Sequence, residues 1–468
     1  MSAQADAARQ ASAWLIQGGR PLGADPADIL IADGMIVEVT RAGPADPART
    51  SAGRRRQART VDADGLVILP GLVDLHTHLR EPGREDAETV ASGTAAAALG
   101  GYTAVHAMAN TDPVADTAGV VEQVWRLGRE AGYCDVLPVG AVTAGLAGAQ
   151  LAELGAMADS AARVRVFSDD GRCVSDATLM RRALEYVKAF DGVIAQHAQE
   201  PRLTEGAQVN EGKISARLGL AGWPAVAEEA IIARDCLLAA HVGSALHVCH
   251  VSTAGSVEII RSAKAKGWRV TAEVTPHHLL LTEDLAVGYD PVYKVNPPLR
   301  TAADVAALRA ALADGTIDCV ATDHAPHPVE AKETEWAAAA FGMTGLETAL
   351  RVVHAAMVET GLLDWAAVAD RMSARPAAIG RLTFPAAAAG GGGGGGSGPA
   401  DGRHGCPLAP GSPANLVLYD PAAGEAVDPD THASRSKNTP FAGMKLPGRV
   451  VATFLRGSPT VLDGRLVR

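Results

Sequence analysis

The sequence predicts an α/β protein, a (β/α)8 barrel of the TIM type with a small β-sandwich domain formed by the N- and C-terminal segments. Three observations support this prediction. From residue 67 onward, apolar runs of strand length alternate with Ala-rich segments of helical period, as in a parallel sheet covered on both faces. Eight such runs are present, which is the number that closes a barrel. Segments of β character also stand at both ends of the chain.

The elements follow in order along the chain. Two β-like segments, 13–17 and 29–39, open the sequence. The predicted barrel strands are 67–78, 102–110, 136–143, 164–170, 193–200, 245–252, 269–277 and 317–324. Helices are predicted between most of them, at 88–99, 178–190, 224–240 and 302–313. The tail returns to β texture at 414–419 and 449–455.

This pattern divides the chain into four regions. Residues 1–66 and 411–468 are predicted to form the two parts of the sandwich, and 67–385 the catalytic barrel. Residues 386–410 begin with a run of Ala and Gly that has few side chains to bury. Such composition predicts a flexible linker.

Composition excludes several classes of protein. The 468 residues include 42 Lys and Arg against 53 Asp and Glu, a net charge of −11, which disfavours binding to nucleic acid. No apolar run reaches the roughly eighteen residues of a membrane span, and the N-terminus lacks the pattern of a secretory signal. The six cysteines show no CxxC spacing, so we expect reduced thiols in a cytoplasmic protein.

Polar residues gather where the predicted strands end. His76 and His78 are two residues apart, so their side chains share one face of the first strand. Later strands end in His197, in His250 and in Asp323, and the fourth ends in the Ser-Asp-Asp of 168–170. The carboxyl ends of barrel strands meet at one rim, and buried polar groups without partners are costly. Imidazoles and carboxylates converging there predict a metal site suited to Zn²⁺.

Other polar residues near these strand ends indicate an anion site. Arg80 offers a planar fork that matches a carboxylate, and Asn110 and His327 could add further donors. A salt bridge to Glu81 is the alternative interpretation for Arg80. His247, His277 and His278 are interpreted as structural residues or supports for the ligands.

Seven motifs occur in a recognisable order: HTHLREPG at 76–83, MANTDP at 108–113, FSDDG at 167–171, HVCHVST at 247–253, AEVTPHHLLL at 272–281, KVNPPLR at 294–300 and ATDHAPH at 321–327. Together they resemble the bacterial class of dihydroorotases within the amidohydrolase superfamily. The likeness covers roughly residues 60 to 380, and the combination of motifs makes it specific.

The resemblance implies a role for each matching residue. His76, His78 and Asp323 would bind the first of two zinc ions, His197 and His250 the second, and Asp170 would bridge them. Asp323 would also be the catalytic acid and base. The residues implied to bind substrate are His78, Arg80, Asn110, Asn296, His327, Phe341 and Gly342.

The implied reaction is the reversible cyclisation of N-carbamoyl-L-aspartate to L-dihydroorotate, the third step of pyrimidine synthesis. The implied partners are this small-molecule substrate, further copies of the chain in a homo-oligomer, and aspartate transcarbamoylase.

Two departures from the family pattern bear on the alternatives. Many amidohydrolases bridge their metals with a carboxylated lysine on strand four, whereas this strand ends in Asp169 and Asp170. Gln199 stands where relatives more often have a carboxylate. The alternatives are a hydantoinase or allantoinase, which uses the lysine and needs no carboxylate clamp, and an inactive scaffold for aspartate transcarbamoylase.

Overall fold

The structure, a computed structural model, describes residues 13–41, 52–383 and 403–467. The strands are β1 Ala13–Pro21, β2 Ala27–Ala32, β3 Met35–Arg41, β4 Arg59–Asp62, β5 Val67–Pro70, β6 Leu72–Thr77, β7 Tyr102–Ala107, β8 Asp135–Pro138, β9 Val166–Phe167, β10 Val193–Gln196, β11 Val209–Asn210, β12 Gly222–Trp223, β13 Ala245–Val248, β14 Val270–Val274, β15 Cys319–Val320, β16 Leu416–Ala426, β17 Lys445–Leu455, β18 Ser458–Leu462 and β19 Arg465–Leu466.

The α-helices are α1 Ala52–Gln57, α2 Val90–Leu99, α3 Ala118–Ala131, α4 Leu154–Asp159, α5 Ala177–Val187, α6 Lys213–Leu218, α7 Val226–Val242, α8 Ala254–Ala265, α9 Pro276–Leu280, α10 Ala302–Asp314, α11 Val329–Lys332, α12 Ala349–Val353, α13 Trp365–Ala369 and α14 Arg375–Ile379. Wider π turns span His354–Val358 and Asp370–Ala374. Short 3-10 turns span Ala144–Leu146, Lys188–Phe190, Glu283–Gly288, Pro291–Tyr293 and Pro429–Thr431.

Eight parallel strands form the barrel. One group runs in the order β6-β7-β8 and the other in the order β9-β10-β13-β14-β15. Single bridges join the groups into a ring, one between Gly140 and Phe167 and the other between Thr77 and His324. The predicted (β/α)8 barrel is therefore confirmed.

The four predicted barrel helices begin within two residues of their predicted starts. For example, α10 begins after Thr301, whose hydroxyl accepts a hydrogen bond from the Asp304 N–H. This cap satisfies one of the free donors in the first helical turn. Apolar residues of the strands, such as Ile194 and Leu246, share one buried core with helix residues such as Leu184 and Ile232. This packing covers the outer face of the barrel sheet.

The two ends of the chain meet in a second sheet beside the barrel. Its strands run in the order β19-β18-β17-β16-β5-β1-β2-β3, and β4 pairs with β1. Trp14 and Ile29 from the N-terminal strands share a separate core with Leu416, Leu418 and Phe454 from the C-terminal strands. The predicted sandwich of terminal segments is confirmed.

The first predicted barrel strand, 67–78, is two strands. Val67–Pro70 pairs with the C-terminal strand β16 in the terminal sheet, and only Leu72–Thr77 enters the barrel. The chain passes from one sheet to the other at Gly71, where a Cβ atom would lie 2.4 Å from the Thr103 side chain. Residues 67–78 read as one apolar run because both strands are buried.

The predicted linker falls only partly within the description, since residues 386–402 lie outside the described residues. Its last part, 403–410, packs against the barrel. There His404 is buried and binds the Asp135 carboxylate at 2.9 Å.

Among the helices that the structure describes, none combines the length and the hydrophobicity that crossing a bilayer would require.

Candidate metal centre and active site

The six predicted metal ligands converge at the carboxyl ends of the barrel strands. His76 lies within β6, and the other five lie one to three residues past the ends of their strands: His78, Asp170, His197, His250 and Asp323. All six side chains are buried.

The first ligand group combines two imidazoles with two carboxylates. The Nε2 atoms of His76 and His78 each lie 3.3 Å from Asp170 Oδ2. The same two nitrogens lie 3.5 and 3.1 Å from Asp323 Oδ1. These four side chains can place one atom each around a single cation.

The second group uses the other oxygen of the same aspartate. Asp170 Oδ1 lies 3.2 Å from His197 Nδ1 and 3.2 Å from His250 Nε2. The two imidazole nitrogens are 2.9 Å apart. Asp170 thus faces both groups, one with each oxygen, which is the arrangement of a bridging ligand.

Hydrogen bonds leave the inward-facing nitrogen of three of these histidines free to bind a metal. His76 Nδ1 faces Glu273 Oε1 at 2.8 Å, and His78 Nδ1 faces Asn110 Oδ1 at 2.9 Å. His197 Nε2 faces the Gln199 amide oxygen at 2.7 Å. Because each oxygen accepts the ring N–H, the opposite nitrogen keeps its lone pair for the interior.

The charges within the cluster are strongly coupled. Burial disfavours protonated His76, yet the nearby carboxylates of Asp170 and Asp323 outweigh it and raise the pKa of His76. Burial likewise opposes ionisation of Asp323, but His76 and His78 lower the pKa of Asp323 to about 2. The pKa of Asp170 is also held well below its ordinary value, against the effect of burial, by the surrounding histidines. Both carboxylates are therefore ionised at neutral pH, as metal ligands must be.

The residues present fit a pair of divalent cations. The buried Nε2 atom of His76 has no hydrogen-bond partner among the described residues, which is unusual for a buried polar atom. Four imidazoles and two carboxylates are the donor types that zinc and similar first-row metals prefer. The cluster therefore offers nitrogen and oxygen ligands of the types that divalent cations bind.

Glu273 is a site residue that the sequence reasoning missed. It lies in β14, fully buried, with Oε1 facing His76 Nδ1 and Oε2 facing His247 Nε2 at 3.0 Å. His247 therefore supports His76 through this carboxylate. The available signal was an acidic residue inside an otherwise apolar buried strand.

Three site residues have left-handed backbone conformations. The φ angles are 63° at Arg80, 33° at His250 and 47° at Asp323. Each such residue costs about 1–3 kcal/mol and persists where the surrounding structure fixes it. At the site, this conformation is found at two predicted metal ligands and at the predicted anion clamp.

The predicted clamp residues Arg80 and His327 lie side by side. Arg80 Nε donates to the Pro326 carbonyl at 3.1 Å, and its Nη2 lies 3.4 Å from His327 Nε2. Burial and the charge of Arg84 lower the pKa of Arg80 to about 10, so it stays cationic at neutral pH. Burial and the charge of Arg80 lower the pKa of His327 to about 3, so its imidazole is neutral.

The alternative of a salt bridge between Arg80 and Glu81 is wrong. Glu81 instead accepts the Val90 N–H at 2.8 Å. Within the described part of the chain, no carboxylate lies within ion-pair distance of Arg80. The guanidinium therefore stays available for an anion.

The remaining predicted substrate residues border the same site. Asn110 Oδ1 is taken up by His78, which leaves the Asn110 amide nitrogen as a donor. Asn296 donates to Gln199 Oε1 at 3.1 Å, and its own buried Oδ1 has no partner among the described residues. The Phe341 carbonyl lies 2.8 Å from His327 Nε2, so neutral His327 donates its N–H there.

His277 and His278 differ in their surroundings. His278 lies 2.7 Å from the Thr275 hydroxyl and 3.2 Å from the Pro297 carbonyl, contacts that support the rim. His277 Nε2 is buried without a partner in the described chain.

Comparison with known proteins places this geometry in a family. The family described as Dihydro-orotase-like matches residues 65–256. A relative from Streptomyces coelicolor named Dihydroorotase is 66% identical, covering 97% of this chain and 100% of that protein. A relative from Mycobacterium tuberculosis with the same name is 55% identical over 97% of this chain and 99% of that protein.

Solved structures share the fold. The L-hydantoinase (dihydropyrimidinase) from Arthrobacter aurescens matches with a TM-score of 0.80 and 26% identity, over 97% of this chain and 96% of that chain. The dihydropyrimidinase from Brevibacillus agri matches with a TM-score of 0.75 and 23% identity over the same shares. The architecture is thus shared among cyclic amide hydrolases, while the curated relatives of high identity are named Dihydroorotase. On its sequence relatives and its site, the chain belongs to the dihydroorotase family.

Proposed function

We propose that the chain is a binuclear zinc dihydroorotase that interconverts N-carbamoyl-L-aspartate and L-dihydroorotate. The observation that carries the proposal is the location of Arg80, a cationic guanidinium without a carboxylate partner among the described residues, beside the two groups of candidate metal ligands that share Asp170. A substrate with both a hydrolysable ring amide and a carboxylate satisfies the two features together.

The metal ligands are assigned from the two groups. His76, His78 and Asp323 would hold one zinc ion, His197 and His250 the other, with Asp170 shared between them. A bound pair of zinc ions would lower the pKa of a water molecule toward about 7 and would polarise the ring amide carbonyl. Glu273, Asn110 and Gln199 keep His76, His78 and His197 in the tautomers that this binding needs.

The substrate carboxylate would bind to Arg80, with the amide nitrogen of Asn110 and the imidazole of His327 as further donors. An anion bound at His327 would replace the Phe341 carbonyl as acceptor of its N–H. The unpartnered Asn296 Oδ1 is an acceptor that could take an N–H of the substrate ring. These contacts hold the substrate in the orientation needed for attack.

Asp323 is the proton carrier of the proposed mechanism. In the ring-opening direction, its ionised carboxylate takes a proton from the attacking water and delivers it to the ring nitrogen as the amide bond breaks. In the synthetic direction, it removes a proton from the carbamoyl nitrogen that attacks the protonated side-chain carboxyl group, and it returns this proton to the hydroxyl oxygen that leaves as water. Its low pKa keeps the carboxylate ionised at neutral pH, the form that can take up a proton.

A substrate panel tests this proposal. Protein purified with zinc is assayed with L-dihydroorotate, dihydrouracil, hydantoin and allantoin. Dihydrouracil has the same ring without the carboxylate, so we expect its kcat/KM to be lower by at least about a hundredfold, as for the loss of charge-assisted hydrogen bonds. Turnover of hydantoin or dihydrouracil without turnover of L-dihydroorotate would overturn the proposal.

A further inference from the structure

Two side chains outside the metal centre hold the segment predicted to contact the substrate. Lys332 ends α11 and is buried. Its ammonium donates to the carbonyls of Ala340, Gly342 and Lys294 at 2.8, 3.0 and 3.2 Å. The three donors of one ammonium thus satisfy three carbonyls from two chain segments.

Asn438 contacts the same segment, residues 340–342, from the C-terminal part of the chain. It lies between β16 and β17 of the terminal sheet, yet its amide nitrogen donates to the carbonyls of Ala325 and Gly342 at 3.0 and 3.2 Å. Its amide oxygen accepts the backbone N–H of His327 at 3.1 Å. One side chain from outside the barrel therefore contacts both His327 and Gly342.

The Gly342 carbonyl is the point at which the two side chains meet. Gly342 has a φ angle of 141°, and a Cβ atom there would lie 2.8 Å from His327 Nε2. With the Phe341 carbonyl held by His327, the three consecutive carbonyls of 340–342 are all held by side chains. When a substrate anion takes the imidazole N–H of His327, the carbonyls of Ala340 and Gly342 stay held by Lys332 and Asn438.

A charged ammonium such as that of Lys332 is an unusual donor for holding buried carbonyl groups. Within the described residues, the Lys332 ammonium forms no ion pair with a carboxylate and contacts only carbonyl oxygens. Burial, together with the charge of Lys294, lowers the pKa of Lys332 to about 7. Burying an ammonium is unfavourable, which argues that the position of these carbonyls matters.

We propose that Lys332 and Asn438 are positioning residues for substrate binding, which fix the Phe341–Gly342 backbone and His327 in the geometry that receives the ring and carboxylate of the substrate. The proposal rests on the proposed function, since it concerns how that site binds L-dihydroorotate. Neither residue contacts the metal ligands through any described hydrogen bond, so the metal centre itself should not depend on them.

Steady-state kinetics of the zinc-loaded full-length protein test the proposal. The variants are Lys332→Met, which removes the ammonium but keeps an apolar stem, and Asn438→Asp, which replaces the donor with an oxygen and changes the volume little. We expect the KM for L-dihydroorotate to rise about tenfold in each, because misplaced binding groups weaken substrate binding. The kcat should stay within about twofold and the zinc content should not change, because the metal centre is intact.

Matched controls come from the floor of the barrel. Lys264→Met removes an ammonium that binds the Gly315 carbonyl and Asp318. Asn415→Ala removes an amide that joins Arg403 and Arg456, at the same 7% exposure as Asn438. Both controls should keep the wild-type KM.

The outcomes separate the two proposals. Wild-type turnover of L-dihydroorotate with unchanged KM in both Lys332→Met and Asn438→Asp would overturn the positioning roles and leave the proposed function standing. Equal increases of KM in the controls, or a loss of zinc that accompanies the change in KM, would also overturn them. A wild-type protein that does not act on L-dihydroorotate would overturn the proposed function and, with it, this inference.

Discussion

Two clusters of His, Asp and Arg lie at opposite ends of the barrel, and they differ in how completely the protein pairs them. At the floor, Asp135 begins β8 and binds Arg456 at 2.6 Å and His404 at 2.9 Å. The second nitrogen of His404 faces the Thr103 hydroxyl. Each of these polar groups has a partner from the protein.

The cluster at the mouth is incomplete by comparison. His76 Nε2 is buried without a hydrogen bond among the described residues, and Arg80 has no carboxylate partner there. Similar residue types thus serve two purposes. Where the protein supplies every partner, the cluster joins the barrel to the terminal sheet. Where partners are missing, we propose that the cluster binds cations and an anion.

Substituting one aspartate in each cluster, Asp323 at the mouth and Asp135 at the floor, should distinguish the two ends most clearly. Asp323→Asn removes the proposed proton carrier, so we expect kcat to fall by at least about a thousandfold, within the range of general acid–base catalysis. Steady-state assays at saturating L-dihydroorotate, with zinc measured in the same samples, check this. A variant that retains zinc and wild-type kcat would remove Asp323 from the mechanism.

Glu273, which accepts the ring N–H groups of His76 and His247, should contribute to the affinity for zinc. Glu273→Gln keeps the shape of the side chain but can accept only one of the two ring N–H groups that the carboxylate accepts now. We expect zinc affinity to fall about 10–100-fold, as for other residues that orient metal ligands. Competition with a chelator measures the zinc affinity of the wild type and of Glu273→Gln.

Glu347→Gln is the control, because Glu347 is a half-buried acid that accepts backbone N–H groups of Ala433 and Ser434. Unchanged zinc affinity in Glu273→Gln would show that the carboxylate does not orient His76.

Loss of the predicted anion clamp should affect substrate binding only, and less strongly than Asp323→Asn affects kcat. Arg80→Ala removes the guanidinium, and we expect KM for L-dihydroorotate to rise about 10–100-fold, the loss of a charge-assisted interaction. Arg84→Ala, on the same loop but paired with Asp86 at 3.6 Å, should leave KM unchanged. Equal KM values for wild type and Arg80→Ala would exclude Arg80 from substrate binding.

The floor cluster should affect stability alone. Burial opposes ionisation of Asp135, but His404 and Arg456 lower its pKa to about 2, from an unfolded value of about 3.9. Because the folded pKa is the lower one, the stabilisation is present above about pH 4 and is lost as pH falls through about 2. The shift corresponds to about 2 kcal/mol at neutral pH.

Urea unfolding of the metal-free wild type and of Asp135→Asn measures the stabilisation that ionised Asp135 contributes. The difference in unfolding free energy should be about 1–2 kcal/mol at pH 7 and should shrink between pH 4 and 3. A pH-independent difference, or a changed KM in Asp135→Asn, would contradict the assignment.

Much of the mouth could be predicted from the sequence because its signals are local. His76 and His78 share a strand face through their spacing, and the other ligands follow apolar runs directly. Parallel strands then bring those ends together. The division of the run 67–78 was not predictable, because both halves are equally apolar and only pairing with the C-terminal strand β16 separates them.

The supports of the site were harder to predict because they depend on distant contacts. Asn438 lies 111 residues from His327 in the chain, and no local pattern joins them. Glu273 was visible as an acid in a buried strand, but its two partners lie on other strands. Lys332 follows a predicted strand end, yet its acceptors are carbonyls, which carry no sequence signature.

Anomalous scattering at the zinc edge, from crystals of the zinc-loaded protein, tests the contrast between mouth and floor most directly. We expect two peaks about 3.5–4 Å apart at the mouth, the usual spacing of paired catalytic metals, with Asp170 between them and no peak beside Asp135 and His404. A single peak, no peak at the mouth, or zinc bound at the floor instead would show that the mouth is not a binuclear zinc site.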